Sequence, residues 1–277
     1  MKNHIKLAVL GDPIGHSLSP RLHQHWLEKY EILGGYEKIE TPKGTLKDTV
    51  FRLKQEGYLG WNVTAPHKET IFEFLDEAVQ AAKTLKAVNT VKNQKGRLVG
   101  HNTDGEGFFK QLITNAPKWD KRKATLVLGA GGAARAVVLE LLHQGCSLVY
   151  VANRTDARAE QLKQDFQSKN VQVLVWEDRN SVMAELGLVV NCTSPASATK
   201  ENDLCDLSLL QSSAAVYDLT YTPLQTPLLR QAAAHGLTTI DGLGMLYYQA
   251  AAAFNVWFGI YPDEKDGFLE QMKRQAQ

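Results

Sequence analysis

Cysteine is scarce. The 277 residues carry only Cys146, Cys192 and Cys205. An odd, sparse set without ligand spacing excludes a disulfide framework and a zinc site. Three thiols in a reducing cytosol, and no metal, are therefore expected. Charge of one sign is also lacking: Lys plus Arg is 31 and Asp plus Glu is 30, a net charge of +1. Nothing in that balance attracts nucleic acid or an anionic membrane. Long apolar runs are missing too. Met1 to Lys6 leads into only the short stretch Leu7 to Leu10, which is too brief for a signal-peptide core or a spanning helix. A cytoplasmic chain is expected. There is no low-complexity tract and no repeat. What is present is ordinary globular composition, 44% hydrophobic and 22% charged, enough to bury a core. At roughly 150 residues per domain, the length implies one large or two modest domains.

The first portion alternates strand and helix signals. Ile5 to Leu10 reads as a buried strand ending at Gly11. Ser19 then suits an N-cap and Pro20 the first helical position, with Leu22, Trp26, Tyr30 and Leu33 at helical spacing and Gly34-Gly35 as the stop. A second helix is expected over about Thr45 to Gln55, then a strand over Trp61 to Thr64 and a helix opened by Pro66 near His67. Ala87 to Val91 and Leu98-Val99 read as further strands. This rhythm implies an α/β unit with a mixed, mostly parallel sheet.

A second series starts near Ala124. Strands are expected over Ala124 to Leu128, Leu148 to Ala152, Val171 to Val175, Leu188 to Val190, Ala215 to Leu219 and Thr238 to Ile240. Helices fall between them, at about Gly132 to Gln144 and Asp156 to Ser168. Six strands in this rhythm predict a Rossmann-type doubly wound parallel sheet. The expected division is residues 1–103 completed by helices within 242–277 for one domain, and residues 104–241 for the other.

The turn Gly129-Ala130-Gly131-Gly132-Ala133 carries the cofactor argument. A Gly-x-Gly cluster alone is weak, but this one follows an apolar strand and opens a helix. Gly129 permits a tight turn. Gly131 and Gly132 let backbone amides approach a pyrophosphate at the helix N-terminus, and Ala133 keeps the packing close. The next strand ends in Asn153-Arg154-Thr155, followed by Asp156, Ala157 and Arg158. An NAD site commonly has Asp or Glu at that strand end, to accept from the ribose 2′-hydroxyl. Arginine suits a 2′-phosphate, so NADP(H) is favoured over NAD. The plainer alternative is that Arg154 and Arg158 form a solvated helix-capping face.

Several polar residues of the first portion exceed what a bland core needs: Ser17, Ser19, Asn62, Thr64, Lys68, Asn89, Asn102 and Asp104. Ser19 or Asp104 could simply cap helices, and Asn62 or Asn102 could form turns. Lys68 is expected in the first turn of a helix, where the dipole disfavours a cation. That placement would move it toward acid–base use, with Asp104 as an orienting carboxylate.

Taken in order, these motifs resemble the shikimate dehydrogenase family from about residue 5 to residue 270. They are Gly11-Asp12-Pro13-Ile14 with His16-Ser17-Leu18-Ser19-Pro20, then Asn62-Val63-Thr64 with Pro66 and Lys68, then Ala87-Val88-Asn89-Thr90 and Asn102-Thr103-Asp104 with Gly107. The glycine turn, Asn153-Arg154-Thr155, Asp218 to Pro223, and Asp241-Gly242 with Met245-Leu246 and Gln249-Ala250 complete the set. The resemblance implies that Ser17, Ser19, Thr64, Asn89, Asp104, Tyr221 and Gln249 hold shikimate, with Lys68 as general acid–base and Asp104 as its partner. It implies that Gly129 to Ala133 take the pyrophosphate, Asn153 to Arg158 the 2′-phosphate, and that Leu219 and Gly242 line the nicotinamide pocket. Gln80 stands where members often carry an acidic residue near the cofactor. Ser194-Pro195-Ala196-Ser197 replaces a family pattern with Gly and Met.

The implied activity is NADPH-linked reduction of 3-dehydroshikimate to shikimate, by a monomer or homodimer whose domains clasp a small-molecule substrate. A quinate or dual quinate/shikimate dehydrogenase using NAD is the near alternative. A non-catalytic NADP-binding regulatory module and a folate-linked dehydrogenase are more distant ones.

Overall fold

A computed structural model of the protein describes residues 4–193 and 204–276. The chain forms two compact units. One runs to Thr103 and takes back Gln249–Asp263; the other comprises Asp104–Tyr248 and resumes at Glu264.

The first unit is built on a six-stranded mixed sheet in the order β2-β1-β3-β5-β6-β4. Its strands are β1 (Ile5–Gly11), β2 (Gly34–Glu40), β3 (Gly60–Val63), β4 (Glu77–Ala78), β5 (Thr90–Gln94) and β6 (Arg97–His101). Strand β1 runs parallel to β2 and β3, while β5 runs antiparallel to both β3 and β6. Helix α1 (Ser19–Lys29) buries Leu22, His23, Trp26 and Leu27 on one face. Helices α2 (Leu46–Gln55) and α3 (Gln80–Leu85) follow. Trp61, Val63, Val88 and Val91 anchor a core with Leu10, Val50 and Leu53.

The structure differs from the sequence reading at several places here. Helix α1 ends by Tyr30, where Glu31 turns left-handed at φ 53°. Leu33 lies beyond it and is exposed, so its helical spacing was coincidental. Gly34-Gly35 opens strand β2 instead of merely stopping a helix. That strand escapes its sequence because Gly34 to Glu40 alternates weakly and buries only Tyr36 fully. Ser19 is the first helical residue and makes no capping bond; Leu18 holds the cap position.

The second unit starts with α4 (Asp104–Asn115). Its sheet follows the order β12-β11-β10-β7-β8-β9, every pair parallel. The strands are β7 (Ala124–Leu128), β8 (Val149–Ala152), β9 (Val171–Leu174), β10 (Leu186–Asn191), β11 (Ala215–Asp218) and β12 (Thr238–Ile240). Numbered within the unit this is the 3-2-1-4-5-6 order of the dinucleotide-binding fold, whose crevice lies at the carboxyl ends of β7 and β10. Helices α5 (Gly132–His143), α6 (Asp156–Phe166) and α7 (Pro227–Ala234) connect strands. Strand β7 shows why so apolar a run is a strand. Ala124, Leu126 and Leu128 enter one core layer and Val127 the opposite one, so both faces are buried.

Helix α8 (Leu243–Phe258) contributes residues to both units, and α9 (Phe268–Ala276) belongs to the second. The expected division, with 242–277 completing the first domain, therefore differs from the observed contacts. Met245 packs in the same core as Phe108 of α4. The Tyr248 hydroxyl donates to Glu264 at 2.6 Å, and Lys110 of α4 pairs with Glu264 at 3.8 Å. One unbroken helix crosses the boundary, so no composition change marks it. Among the described residues no helix is long and apolar enough to cross a membrane.

Candidate active site

Strand register gathers the polar residues of the first unit at one end of its sheet. Leu10 of β1 faces Val63 of β3, Asn62 faces Thr90 of β5, and Thr90 faces His101 of β6. The segments holding Ser17 and Ser19, Thr64 and Lys68, Asn89, and Thr103 therefore all leave the same edge. Thr64 is tied back by its amide to the Leu10 carbonyl at 2.9 Å. Lys68 is half-buried, and its carbonyl accepts from the Val88 amide at 2.8 Å, one residue before Asn89.

Lys68 is not in a helix. It sits in a turn ahead of a short 3-10 segment, Thr70–Phe74. The expected placement in a first helical turn does not occur, and the dipole reasoning attached to it lapses. Pro66 follows Ala65 through a cis bond and shapes a turn where a helix start was expected.

A buried hydrogen-bonded chain links these segments. Asn62 donates through Nδ2 to the Asn89 carbonyl at 3.1 Å and to Thr90 Oγ1 at 2.9 Å. Asn89 donates through Nδ2 to Thr103 Oγ1 at 2.8 Å and to Gln249 Oε1 at 3.3 Å. Its Oδ1 accepts from the Thr103 amide at 2.9 Å and from Thr90 Oγ1 at 3.0 Å. Thr103 Oγ1 donates to the Gln249 carbonyl at 2.9 Å. At the far end the Tyr36 hydroxyl donates to Asn62 Oδ1 at 2.6 Å and shares a hydrogen bond with the Ser19 side chain. Burial pushes the Tyr36 phenol well above its ordinary range, and the Ser19 bond offsets only part of this. Ser17 accepts from the Ser19 amide at 3.3 Å. Tyr36 was not legible as a member of this hydrogen-bonded chain, because the strand carrying it was not. Gln80 opens α3, is exposed, and bonds only its neighbour Thr84 at 3.4 Å among the described contacts.

In the second unit, Gly129 follows β7 with φ +109°, a conformation that favours glycine. A methyl there would also meet the Cys192 carbonyl group at 3.1 Å, just beyond β10. The turn thus lies at the strand-order switch. Ala130 leads to Gly131, the N-cap of α5, where an added methyl would meet nothing within 4 Å. Gly132 and Ala133 follow as its first residues, and no acidic side chain stands in that first turn. Open backbone amides at a helix start, free of local carboxylate, fit a pyrophosphate.

Asn153 follows β8 and donates to the Thr155 carbonyl at 2.9 Å. Arg154, Thr155, Asp156, Ala157 and Arg158 are all exposed. Neither arginine pairs with Asp156 or with any other carboxylate of the described residues. The Arg154 guanidinium instead lies 5.7 Å from the centre of the Trp176 indole. Two unneutralised guanidinium groups at this strand end fit a 2′-phosphate.

Leu219 and Gly242 are brought together. A methyl on Gly242 would lie 2.0 Å from the Leu219 carbonyl oxygen, so only glycine allows this approach. Tyr221 is half-buried, and the desolvation raises its phenol above the ordinary value. The loop carrying it is held by buried Asp218, which accepts from the Thr220 amide at 3.0 Å and from Thr226 Oγ1 at 2.8 Å. Asp104 is buried at the start of α4, in direct sequence with Thr103. Ser194 to Ser197 lie outside the described residues.

Family models match in order along the chain: a shikimate dehydrogenase substrate binding domain over residues 9–91, shikimate / quinate 5-dehydrogenase over 111–223, and the shikimate 5′-dehydrogenase C-terminal domain over 242–277. A shikimate dehydrogenase (NADP(+)) of Cereibacter sphaeroides is 41% identical, covering 95% of this chain and 96% of its own length. The crystal structure of shikimate 5-dehydrogenase from Thermus thermophilus, in complex with NADP(H) and shikimate, is similar with a TM-score of 0.84 and 36% identity, covering 99% of this chain and 100% of that one. Quinate dehydrogenase from Corynebacterium glutamicum, in complex with NAD, has a TM-score of 0.87 and 30% identity, covering 98% of each chain. The three family models and these relatives match over nearly the whole length, and the chain belongs to the shikimate dehydrogenase family.

Proposed function

We propose that this chain catalyses the reversible, NADPH-linked reduction of 3-dehydroshikimate to shikimate. The observation that carries the reading is the set of hydroxyl and amide groups gathered beside Lys68 at one end of the first sheet. A hydroxyl-rich acid needs matched donors and acceptors, because any unpaired polar group costs free energy on burial. NADPH, when bound, would supply the hydride that the ring carbonyl carbon requires. Lys68 gives a proton to the carbonyl oxygen as charge develops there, and in reverse takes it from the hydroxyl. Asp104 is its orienting partner.

Ser17, Ser19, Thr64, Tyr221 and Gln249 bind the hydroxyls and carboxylate. Asn89 joins them at a cost. Both its amide hydrogens and its oxygen are already engaged, so a substrate hydroxyl replaces the 3.3 Å contact to Gln249. Gly129, Ala130, Gly131, Gly132 and Ala133 take the pyrophosphate; Asn153 to Arg158 take the 2′-phosphate; Leu219 and Gly242 face the nicotinamide, with Gln80 near the cofactor. The NAD-linked, quinate-directed alternative has the opposite need at the strand end, a carboxylate, and Arg154 and Arg158 argue against it. The protein works on a small molecule in the cytosol, as a monomer or homodimer.

Substitution of Lys68 by Ala tests the central role. Turnover is expected to fall by about 10²–10⁴-fold while shikimate still binds. Turnover within about tenfold of the parent would remove Lys68 from the proton step.

A further inference from the structure

We propose that Trp176 is a specificity-determining residue, whose indole holds the Arg154 guanidinium in place for the 2′-phosphate of the dinucleotide. The inference rests on the reading of Arg154 as a 2′-phosphate ligand and adds to it a positioning residue.

The geometry begins with the sheet. Strands β8 and β9 are parallel, with Ala152 facing Leu174. Two residues further along each strand, Arg154 and Trp176 leave the same edge side by side. The guanidinium carbon of Arg154 lies 5.7 Å from the indole centre, inside the range of a cation–π contact. Arg154 is exposed, and no carboxylate of the described residues competes for it.

The indole is itself fixed. Trp176 opens a 3-10 segment, Trp176–Asn180, and packs partly buried against the core layer of β7 and β10. Arg179 braces it: its guanidinium carbon lies 4.5 Å from the indole centre. Arg179 also donates through Nη1 to the Trp176 carbonyl and through Nε to the Leu204 carbonyl, both at 2.5 Å. An exposed arginine thus leans on an aromatic plane that a half-buried arginine holds.

The consequence is selective. A free arginine loses many rotamers when it clamps a phosphate, and that loss weakens binding. A guanidinium already confined against an indole loses fewer. The benefit exists only for a ligand carrying the 2′-phosphate, so it separates NADP(H) from NAD(H) without touching the rest of the dinucleotide.

The test is calorimetric titration of NADP⁺ and NAD⁺ into the full chain and its variants Trp176→Ala, Trp176→Phe, Arg154→Ala and the Arg154→Ala/Trp176→Ala double variant. Trp176→Ala is expected to weaken NADP⁺ about fivefold and leave NAD⁺ within about twofold. Trp176→Phe, which keeps a π face, recovers most of the loss. In the Arg154→Ala background, removing the indole adds nothing. Equal weakening of both dinucleotides, or an undiminished Trp176 effect without Arg154, overturns the proposal. If Arg154→Ala loses NADP⁺ affinity and Trp176→Ala does not, only the indole's role falls. If Arg154→Ala binds NADP⁺ like the parent, the 2′-phosphate reading itself falls and takes this one with it.

Discussion

One buried side chain, His23, is expected to shape the response of this protein to acid. It lies wholly inside the first unit on α1, stacked on Tyr36 with ring centres 4.3 Å apart and an interplanar angle of 11°. Burial pushes its pKa from 6.5 down to about 3, with the Asn62 side chain offsetting part of the shift. The unfolded chain therefore binds the proton first as pH falls. The stabilising contribution of His23 is fully present above pH 6.5 and is lost as pH falls toward 3. The slope approaches about 1.4 kcal/mol per pH unit in that window. His23→Phe keeps the ring stack and removes the titration, so its stability is expected to decline less steeply with acid. Urea midpoints at about pH 7, 5.5 and 4.5 measure this; parallel losses in parent and variant would mean that another group is responsible. Gly242 makes a second point at this scale. Gly242→Ala puts a methyl 2.0 Å from the Leu219 carbonyl oxygen. The backbone must shift, at an expected cost of about 1–3 kcal/mol. A thermal melt and an NADP⁺ titration should both register the change; an unaltered melting temperature would mean the approach relaxes freely.

Among the elements, α5 and α6 are joined by an ion pair that the sequence does not announce. Arg135 and Asp165 meet at 2.8 Å with both side chains about 10% exposed, and Arg135 lies over Phe166 at 5.2 Å. Removing one partner of such a pair strands a buried charge. Asp165→Asn is expected to destabilise the second unit by about 3 kcal/mol. A loss under about 1 kcal/mol in chemical denaturation would show that solvent reaches the arginine. The same unit was the most legible from sequence. Its four central strands, β7, β8, β10 and β11, are largely apolar runs buried on both faces, and α5 is bracketed by Gly131 and Gly145, so pattern and packing agree there. In the first unit they agree less. Strand β2 alternates weakly, β4 has only two residues, and α3 only six, too short for any periodicity to emerge. Lys68 is singled out by its motif, but its local structure is misplaced by its neighbourhood, because Pro66 normally opens a helix and here sits in a cis turn. The polar chain through Asn62, Asn89 and Thr103 could be named from motifs. Its connection to Tyr36 required the register of a strand that the sequence had hidden.

For the whole molecule, one chain combines two compact units with different tasks. The first presents hydroxyls and amides around Lys68; the second presents a glycine turn and two arginines that pair with no carboxylate of the described residues. Neither set alone defines a reaction. A glycine turn binds many dinucleotides, and a polar sheet edge binds many acids. Together with the family matches they narrow the chemistry to one hydroxy acid and one phosphorylated cofactor. Steady-state rates followed at 340 nm, with shikimate and quinate each paired with NADP⁺ and NAD⁺, test that combination most directly. The pair shikimate with NADP⁺ is expected to give the highest kcat/KM by at least about tenfold, the discrimination that ~1.4 kcal/mol of selective contact supplies. No absorbance change with shikimate and NADP⁺ at high enzyme concentration, or a faster reaction with quinate and NAD⁺, would contradict it.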